Sequence, residues 1–435
     1  MPSLLVQMLS QSSGERSDRG KPQVFRGFAR STYYNIHDTN DEVKEMFVNF
    51  EFLGSDPIEN VITCMNFKMD KVIFFGFHEI IQQQKRQTEE FLRNYCGVKK
   101  VVFLPLSHSD LQSILDTMGG VIKREVESGS HMFFDITGGE SLILVAFGML
   151  SEKYDTPIHL YDIPKNKLIE LDENATKSVS TDAQKQHVRL DLNRYIALQG
   201  GVINNQLHKS SKNCKESDLN DIWKVSQNYV RYWNPFSDFL RGNFVPDSNL
   251  KVNRPSHEII SALYDSGTDL KAPQILDKIL DTLGSAGILL NVKHDERRYA
   301  FQYRDENIKK CLWEGGSALE MYTYQQVKNS ADDCKIGVHI DWDGVIHEPY
   351  GVDVLNEVDV LALKDNVPIF ISCKSGKMGA SRILHALYEL ETVAQRFGGK
   401  YAKKVLVIID TIKPVYQNRA VEMGIEVRTV RGEGL

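Results

Sequence analysis

The chain is short of cysteine, and its six residues, at 64, 96, 214, 311, 334 and 373, show no CxxC pair or zinc-type spacing. That excludes a disulfide framework and a small zinc module, and leaves reduced thiols in a cytoplasmic protein as the expectation. Long apolar runs are missing as well. No window approaches the roughly 20 apolar residues of a membrane helix, and the Pro2–Leu9 run lacks the charged leader of a secretory signal. No membrane partner is expected. There is no excess of positive charge either: 52 Lys and Arg face 58 Asp and Glu, for a net charge of −6. Nonspecific coating of nucleic acid is thereby excluded, and any contact with DNA or RNA must use a local basic patch. The remainder is ordinary globular protein, 42% hydrophobic and 25% charged, and its 435 residues imply two or three domains.

What is present is most informative near the C-terminal end. Asn356-Glu357-Val358-Asp359 is followed, after twelve residues, by Ser372-Cys373-Lys374. Val358, Val360, Leu361, Ala362 and Leu363 read as a buried strand, Asp365-Asn366 as a turn, and Pro368–Ser372 as the next strand. Side chains two apart on a strand share a face, so Glu357 goes with Asp359 and Ser372 with Lys374. A hairpin would bring the four together at one end. Carboxylates suit a hard divalent cation, and a nearby ammonium can orient or deprotonate a water attacking a phosphodiester. The alternative is an edge hairpin with solvated charges. Against it, the carboxylates interrupt a strand apolar enough to be buried, where unpaired charge is costly. A helix over 381–397 and an apolar strand over 404–410 then follow, as an α/β layer requires. Cys373 should point into the core. Asp341 and Asp343 also share a face but are read as a turn before Gly344. His339, His347 and His385 have no spacing that demands a metal, and His385 is expected to pack on its helix.

An acid followed on the next strand by (Glu/Asp/Ser)-x-Lys resembles the PD-(D/E)XK nuclease core. The local wording, Asn356-Glu-Val-Asp-Val with Ile371-Ser-Cys-Lys-Ser-Gly, is similar to the nuclease domain of CRISPR-associated CARF effectors. Gly315-Gly316-Ser-Ala-Leu-Glu320 fits too, because in that family a Gly-Gly turn opens a helix bearing an active-site Glu. The resemblance implies a restriction-endonuclease-like α/β/α domain over 313–435. Its catalytic residues would be Lys374, Asp359, Glu357 and Ser372, with Mn²⁺ or Mg²⁺ on Asp359, Glu357 and Glu320. One position departs from the pattern. Ser372 stands where the motif has its second acid, so Glu357 or Glu320 is expected to supply the missing charge. Lys377 and Arg382 could hold a nucleic-acid backbone near the following helix start, and solvated surface is the other reading for them.

Residues 1–43 read as a polar extension. Over 44–184, strands at 46–53, 71–77, 100–104 and 131–136 alternate with helices starting at 56 and spanning 79–95, 109–127 and 142–150. Such alternation predicts a parallel, Rossmann-like sheet with ligands beyond the carboxyl ends of its strands. Gly54-Ser55-Asp56 and Thr137-Gly138-Gly139 leave two of those ends. Glycines let a backbone approach a ligand, and amides at a helix start favour an anion. A tight turn with an N-cap is the alternative. Glu140 is read as complementing the helix macrodipole. Asp135-Ile-Thr-Gly-Gly139 resembles the ligand motif of CARF domains. The resemblance implies that Gly54, Ser55, Asp56, Thr137, Gly138 and Gly139 line a pocket shared across the twofold axis of a homodimer. The ligand would be a cyclic oligoadenylate, with cyclic tetra-adenylate expected and the hexa-adenylate as the alternative ring.

The stretch 185–312 is expected to be a winged-helix-like linker domain. It has a loop at 205–221, an aromatic-rich helix over 223–240, helices near 255–265 and 272–283, and a hairpin over 287–303. The helix over 272–283 offers only Lys278 against Asp277 and Asp281, so a spacer is expected rather than a DNA reader. The whole reads as a cyclic-oligoadenylate-activated, metal-dependent endonuclease of type III CRISPR antiviral defence. Its substrate would be single-stranded or supercoiled DNA, or RNA, with ligand at one end biasing the site at the other. Two other readings stay open: a ligand-responsive regulator with an inactive nuclease fold, and an enzyme that cleaves its own cyclic ligand.

Overall fold

The computed structural model describes residues 46–107, 110–171, 185–204, 215–266, 270, 273–314, 317–345, 355–375, 379–409 and 411–430. Among these, 46–55 and 59–188 form one compact unit, and 56–58 with 189–430 form another. The extension over 1–43, the Gly315-Gly316 turn, His347 and Lys377 lie outside the described residues.

In the N-terminal unit, strands Phe47–Phe52 (β1), Lys71–Phe77 (β2), Lys100–Leu106 (β3), His131–Asp135 (β4) and Ile158–Asp162 (β5) run parallel, and Lys167–Leu171 (β6) pairs antiparallel at one edge. The order is β3-β2-β1-β4-β5-β6, the open Rossmann-type arrangement. Alternation along β1 puts Val48, Phe50 and Phe52 on one face, beneath Leu111–Glu127 and Ser141–Tyr154. The opposite face carries Asn49, Glu51 and His159, with Phe67 stacked on His159 at 4.8 Å. A helix was expected from Asp56, but the chain turns until Ile62–Asn66 (α1). Pro57 disfavours helical backbone at Asp56. The Asn60 amide also ties up Gly54, accepting from its N–H at 2.8 Å and donating to its carbonyl at 3.0 Å. The other helices of this unit are His78–Tyr95 (α2), Leu111–Glu127 (α3) and Ser141–Tyr154 (α4).

The C-terminal unit opens with Leu192–Leu198 (α5) and Val202–Ile203 (β7). The aromatic stretch expected as one helix is two, Glu216–Asn228 (α6) and Val230–Asn243 (α7). They part at Tyr229, whose hydroxyl sits 3.0 Å from that of Thr282, so a tertiary contact overrides local propensity. Lys251–Pro255 (β8), Ser256–Asp265 (α8), Pro273–Ser285 (α9), Leu289–His294 (β9) and Arg298–Tyr303 (β10) complete the winged region, with sheet order β8-β10-β9. The acids of α9 are tied to the wing: Asp277 accepts from the Tyr299 hydroxyl at 2.8 Å and Asp281 lies 2.8 Å from His294.

Next come Glu306–Trp313 (α10), Ser317–Lys328 (α11), Asp333–Asp341 (β11), Leu355–Lys364 (β12), Val367–Lys374 (β13), Ala380–Phe397 (α12), Lys403–Ile408 (β14), Pro414–Glu422 (α13) and Ile425–Thr429 (β15). Their sheet runs β15-β14-β13-β12-β11-β7, antiparallel from β7 to β13 and parallel from β13 to β15. The β12–β13 hairpin forms as expected. Asp365 and Asn366 both take positive φ, 51° and 64°, as a two-residue type I′ turn requires.

The winged region and this sheet share one apolar core. It runs from Leu219 through Trp233, Phe236, Leu283 and Phe301 to Val360, Ile371 and Val407. Trp223 of α6 stacks on Tyr322 of α11 with ring centroids 4.3 Å apart and planes 18° apart. Such a pair contributes beyond the area it buries. Trp223→Ala should therefore destabilise the unit by about 3–5 kcal/mol, and hydrogen exchange should show α6 and α11 opening together. Independent opening of the two helices would contradict a shared core.

Candidate active site

The hairpin stops pairing just where the polar residues begin. The last β12–β13 partners toward that end are Val360 and Ile371, while β13 continues beside β14 as far as Lys374. A backbone N–H buried at such a parting needs an acceptor. Asp359 provides it: its Oδ2 accepts from the Cys373 N–H at 2.6 Å and from the Ser372 hydroxyl at 3.2 Å. Lys374 Nζ lies 3.7 Å from the same oxygen. Asp359, Ser372 and Lys374 thus come together as the spacing predicted.

Glu357 and Glu320 stand on elements next to this group. Glu357 is exposed and leans toward β11, 4.0 Å from His339. Glu320 is buried on α11 and adds negative potential at Cys373. Burial first, then Asp359, pushes the Cys373 thiol well above its usual range, as suits a core residue that donates to the Thr323 hydroxyl. Asp341 accepts from the N–H groups of Gly344 at 2.8 Å and Val345 at 3.0 Å, which makes it a turn residue.

Two residues beside Lys374 escaped sequence reasoning as site members. Glu389 Oε2 lies 3.9 Å from Lys374 Nζ and 3.8 Å from His385 Nδ1. The expectation that His385 packs on its helix is wrong: its side chain is 78% exposed. Arg382, His385 and Glu389 recur at helical spacing on α12, and that period was the available signal. Lys374, Ser375, Ser381, Arg382 and His385, with Asn234 from α7, line a cleft of about 500 Å³. No set of three acidic, His or Cys side chains converges as a metal cage among the described residues. Asp359 and Glu389 nevertheless flank one cation, the Lys374 ammonium, and an oxygen-only pair is the donor type that Mg²⁺ or Mn²⁺ takes.

In the N-terminal unit the two glycine loops leave β1 and β4, neighbours at the point where strand order reverses, which is where open α/β sheets bind ligands. Ser55 and Gly139 are exposed, while Gly54 and Gly138 are buried. Gly139 takes φ +134° and so needs glycine, while a Cβ on Gly138 would stand 2.9 Å from Glu59 Oε2 and press on that side chain. The Thr137 hydroxyl accepts from the Tyr161 N–H at 2.9 Å, and the Thr137 N–H donates to Asp135 at 2.8 Å. Asp56 groups with the C-terminal unit, where its carboxylate accepts from the Lys400 N–H at 2.8 Å.

Residues 306–430 match the family described as Card1-like, endonuclease domain. The match covers β11 to β15 with the two helices before them, and so includes Asp359 and Lys374. Two solved structures share the fold over most of the chain. Protein VC1899 from Vibrio cholerae has a TM-score of 0.65 at 17% identity, covering 88% of this chain and 94% of that one. Can2 from Sulfobacillus thermosulfidooxidans, in complex with cyclic tetra-adenylate, has a TM-score of 0.59 at 14% identity, covering 88% and 95%. Among curated protein sequences none matches. The chain thus joins a Rossmann-type unit to a stretch similar to Card1-like endonuclease domains, in a fold that it shares with Can2. No described helix is long and apolar enough to cross a membrane.

Beneath the glycine loops lies a buried acidic pair. Glu51 and Asp135 are register neighbours on β1 and β4. Burial pushes the Asp135 carboxyl up to about 6. It pushes Glu51 well above the usual carboxylate range, and the charges of Asp135 and Glu59 add to that. Across the same face, burial holds His159 down at about 4. The signs oppose. Between pH 4 and 6 the folded Asp135 binds more protons than the unfolded one, so its contribution to stability falls as pH rises. The folded His159 binds fewer protons than the unfolded one between about 4 and 6.5, so its contribution rises over that window. The variant-to-wild-type difference isolates the acid. Asp135→Asn keeps an oxygen for the Thr137 N–H and should be about 2–3 kcal/mol more stable than wild type at pH 8. That gain should shrink toward zero near pH 4 in denaturant titrations, and a gain independent of pH would refute the raised carboxyl.

Proposed function

We propose that the chain is an endonuclease of type III CRISPR defence, switched on by a cyclic oligoadenylate bound in its N-terminal unit. The observation that carries this reading is the match of 306–430 to an endonuclease domain whose Lys374 and Asp359 meet beside an open cleft. Lys374 would orient the attacking water or stabilise the charge that develops on the phosphate. Arg382, lining the same cleft, would hold the nucleic-acid backbone, with Lys377 as a second candidate. Asp359, with Glu357, Glu320 or Glu389, would hold a hard divalent cation such as Mg²⁺ or Mn²⁺, which supplies charge neutralisation at the phosphodiester. The Ser372 hydroxyl donates to Asp359 and orients its carboxylate.

Cyclic tetra-adenylate is the proposed activator, because Can2, which shares this fold, is solved with that ring. Gly54, Ser55, Thr137, Gly138 and Gly139 would meet it at the switch point, with Asp56 as a further candidate. A homodimer is supported by an apolar stripe on α4, the helix that follows the Thr-Gly-Gly loop. Leu142, Val145 and Met149 are each 50% exposed and recur on one helical face. A twofold axis there would present both copies of the loop to one ring.

Purified protein with Mn²⁺ should cut plasmid, single-stranded DNA or RNA only when cyclic tri-, tetra- or hexa-adenylate is added. Lys374→Ala should lower the cutting rate by about 100-fold or more. Absence of cutting in every combination would sink the nuclease reading, and conversion of the ring to linear product without substrate cutting would favour a ring-cleaving enzyme. On light scattering, Val145→Glu should convert dimer to monomer and weaken ring binding; an unchanged dimer would remove α4 from the interface.

A further inference from the structure

Lys374 stands at the end of β13, where the sheet stops defining its position. The last β13–β14 partners are Lys374 and Ile408, and β12 has already parted from β13. Its ammonium is attracted by Asp359 at 3.7 Å and Glu389 at 3.9 Å. Both distances exceed a hydrogen bond, so neither contact fixes direction. The next residue is held instead. Asn234 Nδ2 donates to the Ser375 carbonyl at 3.3 Å and to Ser375 Oγ at 2.9 Å, and that hydroxyl can return a bond to Asn234 Oδ1 at 3.1 Å. Asn234 belongs to the winged region, 141 residues away in sequence. It is flanked on α7 by Trp233 and Phe236, only 3% and 0% exposed, so the amide projects from a helix anchored in the core.

We propose that Asn234 is a positioning residue of the nuclease site: through Ser375 it sets where the Lys374 ammonium stands in the cleft. The winged region then completes the cutting site as well as joining it to the rest of the chain. A lysine side chain has many rotamers to choose from, and a fixed backbone on the C-terminal side of Lys374 narrows where its tip can stand. Orientation of this kind acts on the chemical step more than on substrate affinity. The inference rests on the nuclease reading for its catalytic meaning, and its geometry can be tested without cutting.

Full-length Asn234→Ala, Ser375→Ala and the double variant are compared with wild type in two assays. In the first, amine acylation of Lys374 at a single pH is followed by peptide mass spectrometry. Each single variant should change its labelling rate about threefold or more, and the double variant should add little, since the two residues act as one unit. In the second, ring-activated cutting should lose kcat by about tenfold or more with KM within twofold. Unchanged Lys374 labelling in both single variants overturns the inference, whether or not the protein cuts. A rise in KM at constant kcat also overturns it, making Asn234 a substrate contact. Silence in the cutting assay with altered labelling leaves the positioning role standing and rejects the nuclease reading alone. Should Asn234→Ala melt early, Ser375→Ala, which leaves the anchored helix untouched, carries the test.

Discussion

The C-terminal unit depends on one carboxylate standing where two strands part. A buried N–H at Cys373 would be orphaned as β12 leaves β13, and Asp359 Oδ2 takes it at 2.6 Å. The same oxygen receives the Ser372 hydroxyl and draws in the Lys374 ammonium. Structural need and chemical potential are met by one group, so the site cannot be loosened without opening the end of the sheet. Asp359 is buried while Lys374 reaches the cleft, so the negative charge lies in the sheet and the positive one faces the open space.

Much of this was legible in the amino-acid order because it was local. Alternation along Phe47–Phe52 and Val358–Leu363, the Asp365-Asn366 turn and the strand–helix rhythm of the N-terminal unit depend on neighbours within a few residues. The meeting of Asp359, Ser372 and Lys374 followed from the two-residue period of a strand and a short hairpin. What stayed hidden was set by distant partners. The break at Tyr229 answers to Thr282, the turn after Gly54 to Asn60 and Pro57, and the exposure of His385 to the cleft that α7 and α12 enclose. Asn234 gave no sign of itself, because one amide on an aromatic helix has no period and no motif.

The N-terminal unit spends stability in a different way. A sheet face that could have been filled with Val and Ile instead buries Asn49, Glu51, Asp135 and His159. Glu51 Oε1 has no hydrogen-bond partner, and both acids are held above their ordinary range by burial. Such polarity is expensive in a core. It lies directly under the loops at the switch point, where the backbone of Thr137 takes its shape from the Asp135 carboxylate. The acids therefore belong with the loop geometry rather than with the packing of α3 and α4 on the other face.

The stacking of Trp223 on Tyr322 has a consequence for how such a protein can diversify. The stretch that carries the endonuclease resemblance begins at residue 306, yet its core continues into Trp223, Trp233 and Phe236. Severed at that border, the remainder would present a broad oily wound to water and lose the strand that Val202–Ile203 adds to its edge. The portion recognisable by sequence is thus smaller than the portion that shares its core. Recombination between relatives that cuts at residue 306 would divide that core, whereas a cut near residue 189 would leave it whole.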